Sequence, residues 1–413
     1  MGCTSSSSSV SKKIYNVGNK KKLSITEVVV FVPAMRIPFD FDIQRPLKGL
    51  IPRVIIDKLS AIRSQIVLLV AEYTGGTAYT ELNGALEQYL SLALGLTKKE
   101  YGAEDKVEFK WKILQETRQE ICIASSWFEV LSVLYMMAIL ALSEANSLLL
   151  PKDPMDAIER TVSEECKKDA IDLLIKAAGY LEFCVRGVLI HLPPDIKTKL
   201  PNDFQEGVLE AISIQILGQG TEMQLGLAVE SQNASLSVKR RLACEQLSYF
   251  AQAHYCLSGC NMAHACGKKH LMFIKWKYLE AKAAAYYYHG LILDKGKAPS
   301  GHSNAVCCFL AANKLLTDSK KACLSFCLAS PVSRVPPIWG VMKHLHEKIP
   351  EVASRKCQMY GYLLEQEKSL KSVPDLPEFS LSLRPDDYKL PEIDPAWDTE
   401  KLETKVPTLK EQH

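Results

Sequence analysis

The sequence carries little net charge and no hydrophobic run long enough to cross a membrane. Its 50 Lys and Arg residues nearly balance its 47 Asp and Glu residues, so the net charge is +3. A charge this small argues against nucleic acid as the main partner, and we expect none. The most apolar run, Val130 to Leu142, has 13 residues, whereas a membrane-spanning helix needs roughly 18–20. We therefore predict that this run is a buried core helix.

The sequence also lacks the short motifs of common enzyme sites. It has no Gly-Lys-Ser/Thr phosphate loop and no G-x-S-x-G nucleophile elbow. Gly218, Gly220 and Gly226 do not form a dinucleotide fingerprint, because no strand precedes them. The 13 cysteines are scattered, and no secretory signal precedes them. This usage indicates a reducing, cytosolic compartment and mostly buried thiols, and we expect no catalytic residues and no cofactor.

One group of His and Cys residues has spacings that resemble metal ligands. Cys256, Cys260 and His264 would share one face of a helix, which makes a zinc site geometrically feasible. Zinc sites usually combine two tight ligand pairs separated by a loop, and this pattern differs. A zinc-dependent enzyme that uses this group is therefore an alternative. The favoured interpretation is that the cysteines are small side chains packed between helices and that no metal is bound. The complete group is His254, Cys256, Cys260, His264, Cys266 and His270.

The chain is organised around residues 205–257, which predict two long helices joined by the polar turn Glu230 to Ser235. The second helix has two adjacent apolar stripes, whereas a simple surface helix needs one stripe about 100° wide. One stripe contains Ala243, Leu247, Phe250, His254 and Leu257, and the other contains Val238, Leu242, Tyr249 and Ala253. Two stripes indicate a helix that packs on two sides, or one that packs on one side and binds a partner on the other.

Elsewhere, helical periodicity dominates from Pro52 onwards. The β-branched run from Val28 to Val32 predicts a strand, and the alternating segment from Arg36 to Asp42 is expected to pair with it. Successive long helices without intervening strands indicate a tetratricopeptide-like solenoid, although no 34-residue repeat is visible. The predicted fold class is therefore all-α, an elongated helical solenoid with a small N-terminal β element.

The first 24 residues predict a disordered, acylated, basic leader. The start, Met-Gly-Cys-Thr-Ser-Ser, fits the N-myristoylation pattern at Gly2, and Cys3 is placed for palmitoylation. One myristoyl chain binds membranes only marginally, so durable anchoring needs a second signal. A set of lysines without acidic neighbours would add attraction to an anionic membrane surface. These lysines are Lys12, Lys13, Lys20, Lys21 and Lys22.

Two sequence blocks resemble the Bro-one domain family. The first reads Leu217-Gly-Gln-Gly-Thr-Glu222, then Lys239-Arg-Arg-Leu242-Ala-Cys-Glu-Gln246, then Tyr249-Phe250; the second runs from Phe273 to Gly290. The resemblance covers roughly residues 25–370, and it predicts a helical domain with the bounds 25–371. It implies a boomerang-shaped helical domain, followed over 372–413 by a Pro-rich extended arm and a disordered tail.

The resemblance also implies a non-enzymatic adaptor in endosomal, multivesicular body sorting. Family members bind the C-terminal amphipathic helix of an ESCRT-III subunit in an apolar groove. With the leader, this predicts a cytoplasmic protein held peripherally on an endosomal or plasma membrane. A scaffold of the same fold with another client is an alternative, because Gln224 stands where the family has a large apolar residue. The predicted partner-binding residues are Leu217, Leu225, Val238, Leu242 and Tyr249.

Overall fold

The computed structural model describes most of the chain between residues 25 and 398. The described ranges are 25–39, 41–73, 75–114, 120–150, 162–263, 265–296, 299–336, 340–366 and 372–398. The predicted leader, with Gly2, Cys3 and its five lysines, lies outside them, as do His264 and the final residues from 399 onwards.

Within this part of the chain, eleven α-helices carry the fold, which confirms the predicted all-α class. The helices are α1 (Gln44–Leu47), α2 (Arg53–Ala71), α3 (Thr77–Ala93), α4 (Ser126–Leu148), α5 (Glu164–Phe183), α6 (Pro194–Lys197), α7 (Glu206–Glu230), α8 (Leu236–Leu257), α9 (Ala265–Asp294), α10 (Pro299–Leu328) and α11 (Gly340–Gln366). A π-helical turn, Cys184–Val188, extends α5.

Consecutive long helices pack against each other, as in a solenoid. The packed pairs run from α2 with α3 through α4, α5, α7, α8, α9 and α10 to α11, and the short α6 takes no part. Helix α11 also packs against α7, so the end of the series returns to its middle. Helix α7 therefore contacts α5, α8 and α11, and α8 packs between α7 and α9.

Helix α4 is the core of the N-terminal half. Its N-cap is Ser125, whose hydroxyl accepts a hydrogen bond from the amide of Phe128 at 3.4 Å. Every residue from Phe128 to Leu142 is buried. Among the described residues, α4 alone is long and apolar enough to cross a bilayer, but 89% of its most apolar window is buried inside the protein. The prediction of a buried core helix is confirmed.

A closed polar cluster lies beside α4. The carboxylate of Glu129 accepts hydrogen bonds from Arg63, from the Tyr89 hydroxyl at 2.7 Å and from the Trp111 indole at 2.6 Å. The four side chains are at most 2% exposed. Burial and the neighbouring carboxylate raise the pKa of Tyr89, so its hydroxyl keeps its proton and acts as a donor.

The β structure is larger than predicted and differently paired. Strands β2 (Arg36–Pro38), β3 (Glu108–Ile113) and β4 (Glu120–Ala124) form an antiparallel sheet in that order. Two short strands, β1 (Thr26–Glu27) and β5 (Ser333–Arg334), pair in parallel. The segment from Arg36 was expected to pair with Val28 to Val32, but it pairs with β3, which the sequence analysis missed.

The prediction of a strand from Val28 to Val32 was wrong. The amides of Val29 and Val30 donate to the side-chain oxygen of Asn146 on α4, at 2.8 and 2.9 Å. Phe31 stacks on the rings of His270 and Phe273, each at 5.0 Å. A side chain therefore takes the place of a neighbouring strand, and the apolar run packs against helices.

After α11 the chain forms an extended arm, residues 372–398, which crosses the domain from α8 to α3. Its only regular element is a 3₁₀ turn, Pro395–Trp397. The amide of Asp386 donates to the Ile175 carbonyl on α5 at 3.2 Å. At the end of the arm, the buried Trp397 indole donates to the Leu92 carbonyl at 3.0 Å. A Cβ at Gly95 would lie 1.9 Å from this indole, so only glycine leaves room for it.

Candidate functional site on helix α8

Helix α8 presents its N-terminal half to solvent. The Ser235 hydroxyl caps the helix by accepting a hydrogen bond from the Val238 amide at 3.3 Å. The Val238 side chain is 46% exposed although it is apolar, and Leu242, one turn later, is half-buried. Both belong to the second stripe of the sequence analysis, and they form an apolar surface that we call the α8 patch.

The other three predicted partner-binding residues lie inside the protein. Leu217 is 6% exposed in the N-terminal core, and Leu225 is fully buried in a second core formed by α7 to α11. Tyr249 is 2% exposed, and its hydroxyl donates to the Leu383 carbonyl of the arm at 2.5 Å. In this conformation, a partner on the α8 surface reaches Val238 and Leu242 but not these three residues.

The arm covers the C-terminal half of the second stripe. Glu245 follows Leu242 on the same face and is fully buried. Its carboxylate accepts hydrogen bonds from the amide and the hydroxyl of Ser382, at 2.9 and 2.5 Å, and from Arg241 at 2.6 Å. The stripe is therefore divided into an open half around Val238 and a half that the chain itself covers.

Sequence reasoning missed Glu245, although the sequence holds a signal for it. At 100° per residue, Glu245 lies at the edge of the second apolar stripe, about one turn after Leu242 and one turn before Tyr249. A carboxylate in that position has to find donors or remain in solvent. The donors come from Arg241 and from the arm more than 130 residues later in the sequence.

The basic residues at the start of α8 are largely engaged within the protein. Arg241 bonds to Glu245, and the guanidinium of Arg240 lies over the ring of Phe379 in the arm, 5.9 Å from its centroid. Burial lowers the pKa of His289, and the charge of Arg240 beside it lowers that pKa further. Only part of the positive charge of Lys239, Arg240 and Arg241 therefore remains to attract an acidic partner.

Gln224 departs from the family pattern and is half-buried on α7. Helices α7 and α8 run antiparallel on either side of the turn at residues 231–235, so Gln224 lies level with Leu242. A polar side chain at this level would narrow the apolar surface next to the α8 patch.

In the part of the chain that the structure describes, the His and Cys side chains of the suggested zinc site do not gather around one point. His270 is buried, hydrogen-bonds to Gln215 at 2.5 Å and stacks on Phe31. Burial lowers its pKa to about 3, so it stays neutral. The Cys260 thiol donates to the Cys256 carbonyl at 3.4 Å, and burial raises the pKa of both thiols. Within the described residues, which exclude His264, no three His, Cys, Asp or Glu side chains could hold a metal together.

A family model described as the BRO1-like domain matches residues 54–354, well over half of the chain. The chain belongs to the BRO1-like domain family. It matched none of the curated protein sequences with which it was compared.

Solved structures show the same fold. The BRO1 domain of ALIX in a complex with CHMP4C has a TM-score of 0.61 at 15% identity, and the match covers 89% of this chain and 99% of that one. A Bro1 domain described in a study of endosomal targeting has a TM-score of 0.57 at 14% identity, over 92% and 96% of the two chains. ALIX bound to the SIVmac239 late-domain peptide PYKEVTEDL has a TM-score of 0.60 at 14% identity; the match covers 89% of this chain but spans 50% of that one.

Proposed function

We propose that this BRO1-like domain is a non-enzymatic adaptor that binds the C-terminal amphipathic helix of an ESCRT-III subunit in endosomal sorting. The observation that carries the proposal is the α8 patch: Val238, in the first turn of α8, is 46% exposed beside the half-buried Leu242. A structure of the same fold, the ALIX BRO1 domain, has been solved with CHMP4C. That complex supports an ESCRT-III helix as the client.

An amphipathic helix suits the α8 patch physically. Such a helix presents apolar anchors at i, i+3, i+4 and i+7, which matches two apolar side chains one turn apart on α8. A few residues usually carry most of the binding energy of an interface. The patch is small, because the arm covers the rest of the stripe. We therefore expect Val238 and Leu242 to contribute most of the binding energy.

Calorimetry tests the adaptor function. A peptide with the C-terminal helix of CHMP4C is titrated into the protein and into Val238→Asp and Leu242→Asp variants. We expect either carboxylate to lower the affinity at least 10-fold, because a charge pressed into an apolar contact loses its hydration. Tyr255→Asp is the matched control: Tyr255 lies on the same helix and is 78% exposed, but it is outside the α8 patch.

Two results would distinguish an error in the proposed client from an error in the proposed binding surface. If the unmodified protein binds no ESCRT-III helix, the scaffold serves another client, as the half-buried Gln224 would favour. If the peptide binds and the two α8 variants bind equally well, the client uses another surface.

We also propose that the leader tethers the protein to the cytosolic face of an endosomal or plasma membrane. Support comes from the myristoylation pattern at Gly2, the adjacent Cys3 and the five lysines up to Lys22. We expect Gly2→Ala to move the protein from the membrane fraction to the soluble fraction of cells. Cys3→Ser should weaken retention less, since the first acyl chain remains. A Gly2→Ala variant that stays on membranes would show that something else anchors it.

A further inference from the structure

The solvent-facing side of α9 carries a row of lysines. Lys268, Lys275 and Lys282 are spaced at close to two helical turns, so they line up along one side of the helix. Lys268 and Lys275 are exposed, and Lys282 is half-buried. The side chains between them on this side are half-buried and apolar or aromatic: Leu271, Met272, Tyr278 and Leu279. Lysines interleaved with such side chains are typical of a helix that lies at a membrane interface.

The acidic side chains of α9 do not neutralise this row. The helix has two of them, Glu280 and Asp294. Glu280 is buried and bonds to Lys277 at 3.1 Å, whereas Asp294, the last residue of α9, bonds to Lys356 of α11 at 2.6 Å. The row of lysines therefore keeps its positive charge towards solvent.

Helix α10 extends the basic surface. It runs antiparallel to α9, since Phe273 near the start of α9 contacts Phe326 near the end of α10, with ring centroids 5.4 Å apart. Lys314 and Lys321 of α10 are both exposed and are again spaced at close to two turns, on the same side of the helix pair as the α9 row. The one carboxylate of α10, Asp318, lies 3.5 Å from Lys321 and offsets a single charge.

Two leucines stand in solvent at the C-terminal end of α10. Leu324 and Leu328 are one turn apart and are 60% and 68% exposed. Together with the lysines they form a surface that we call the α9–α10 face, which includes neither Val238 nor Leu242 of the α8 patch. Its members are Lys268, Lys275, Lys282, Lys314, Lys321, Leu324 and Leu328.

The basic leader joins the fold at one end of the α9–α10 face. The described chain begins at Ile25, and β1 directly after it pairs with β5, the strand that follows α10. The Lys269 amine of α9 donates to the Ser333 hydroxyl of β5 at 2.9 Å, which ties this ribbon to α9. Ile25 and Val332 are apolar and more than half exposed, so they continue the row of Leu324 and Leu328.

We infer that the α9–α10 face rests on the anionic surface of a lipid membrane. This inference deepens the proposed tether, because it names the side of the domain that the leader would bring onto the membrane. Exposed lysines gain attraction only within about one Debye length of an anionic bilayer, roughly 8 Å, so they have to lie against it. An acidic protein would also attract these lysines, but the exposed leucines beside them favour a lipid interface, which takes up apolar side chains.

Vesicle sedimentation tests the inference on the full-length Gly2→Ala protein, which has no acyl chain. Vesicles of phosphatidylcholine alone are compared with vesicles that contain about one third phosphatidylserine. We expect binding to the anionic vesicles, binding at least 10-fold weaker to the neutral ones, and a loss of binding as the salt concentration rises.

A pair of charge reversals distinguishes the α9–α10 face from the leader. Lys275 and Lys314 are exposed and form no ion pair with the other described residues, so changing both to Glu should leave the fold intact, as circular dichroism would show. This variant should bind anionic vesicles at least 10-fold more weakly. Changing Lys98 and Lys99 to Glu is the matched control: both are exposed after α3, and the change in net charge is identical. It should weaken binding much less.

A matched pair of leucines tests the apolar part of the α9–α10 face. Leu328 of this face and Leu68 of α2 are both 68% exposed. Leu328→Ser should weaken binding to anionic vesicles about 5-fold, because a leucine that enters the interface loses contact with water, whereas Leu68→Ser should leave it unchanged.

These results do not depend on acylation, so the inference and the proposed tether can fail separately. A loss that is at least 10-fold greater in the Lys275 and Lys314 variant than in the control supports the inference, even if Gly2→Ala protein stays on membranes in cells. Equal binding to neutral and anionic vesicles would overturn it, as would equal losses in the two charge-reversal variants, which would place the attraction in the leader. No vesicle binding at all would also overturn it and leave the α9–α10 face to an acidic protein.

Discussion

Helices α4 and α8 both have more apolar surface than one packing face requires, but the molecule uses them differently. Helix α4 is buried on all sides from Phe128 to Leu142. Helix α8 is divided: the arm covers Glu245 and Tyr249, whereas Val238 remains 46% exposed. Excess apolar surface therefore identifies a helix with several neighbours, and only the positions of those neighbours show whether one side remains open to a partner.

The largest effect is expected at the buried ion pair of α4. Glu129→Gln keeps the shape but leaves the Arg63 charge buried without its counterion, which should lower the free energy of unfolding by about 3–5 kcal/mol. Denaturant unfolding followed by circular dichroism measures the loss. Glu164→Gln is the matched control, because its partner Lys168 and Glu164 itself are exposed, and it should show no measurable change.

The same substitution on the two helices should sharpen the contrast. Val133→Ala removes two methyl groups from the fully buried face of α4 and should cost about 2–3 kcal/mol, transfer and cavity terms combined. Val238→Ala on α8 should change the free energy of unfolding by less than about 0.5 kcal/mol, yet weaken peptide binding. Equal losses of stability would mean that Val238 is a core residue, which would remove the basis of the α8 patch.

An effect smaller than that of Val133→Ala is expected where the arm meets α8. Glu245→Gln keeps an acceptor oxygen but removes the charge that holds Ser382 and Arg241. This should lower the free energy of unfolding by about 1 kcal/mol. Hydrogen exchange of residues 372–398 should accelerate near Ser382 while the core of α4 stays protected. Ser248→Ala is a suitable control, because its hydroxyl bonds only within α8, to the Cys244 carbonyl. Unchanged exchange in the arm would show that other contacts hold it.

The sequence predicts the long helices well, since their periodicity reflects local geometry. It places the α7–α8 pair and the turn between them within one or two residues of their observed bounds. The segment Val28 to Val32 was predicted wrongly, because the backbone amides of Val29 and Val30 donate to the side chain of Asn146 and not to a neighbouring strand. Asn146 lies more than 110 residues later in the sequence. The interior positions of Leu225 and Tyr249 could not be predicted for a similar reason. Both depend on α9 to α11 or on the arm, which pack there through contacts that no local pattern encodes.

Site-specific photo-crosslinking tests the central claim most directly, because it reports which part of α8 a partner touches. A benzoylphenylalanine is placed at position 238 in one variant and at position 255 in another, and each is irradiated with the CHMP4C helix peptide. Our account predicts a crosslinked product from position 238 and none from position 255. Crosslinking from position 255 alone, or from neither position while calorimetry still shows binding, would contradict the assignment of the partner to the α8 patch.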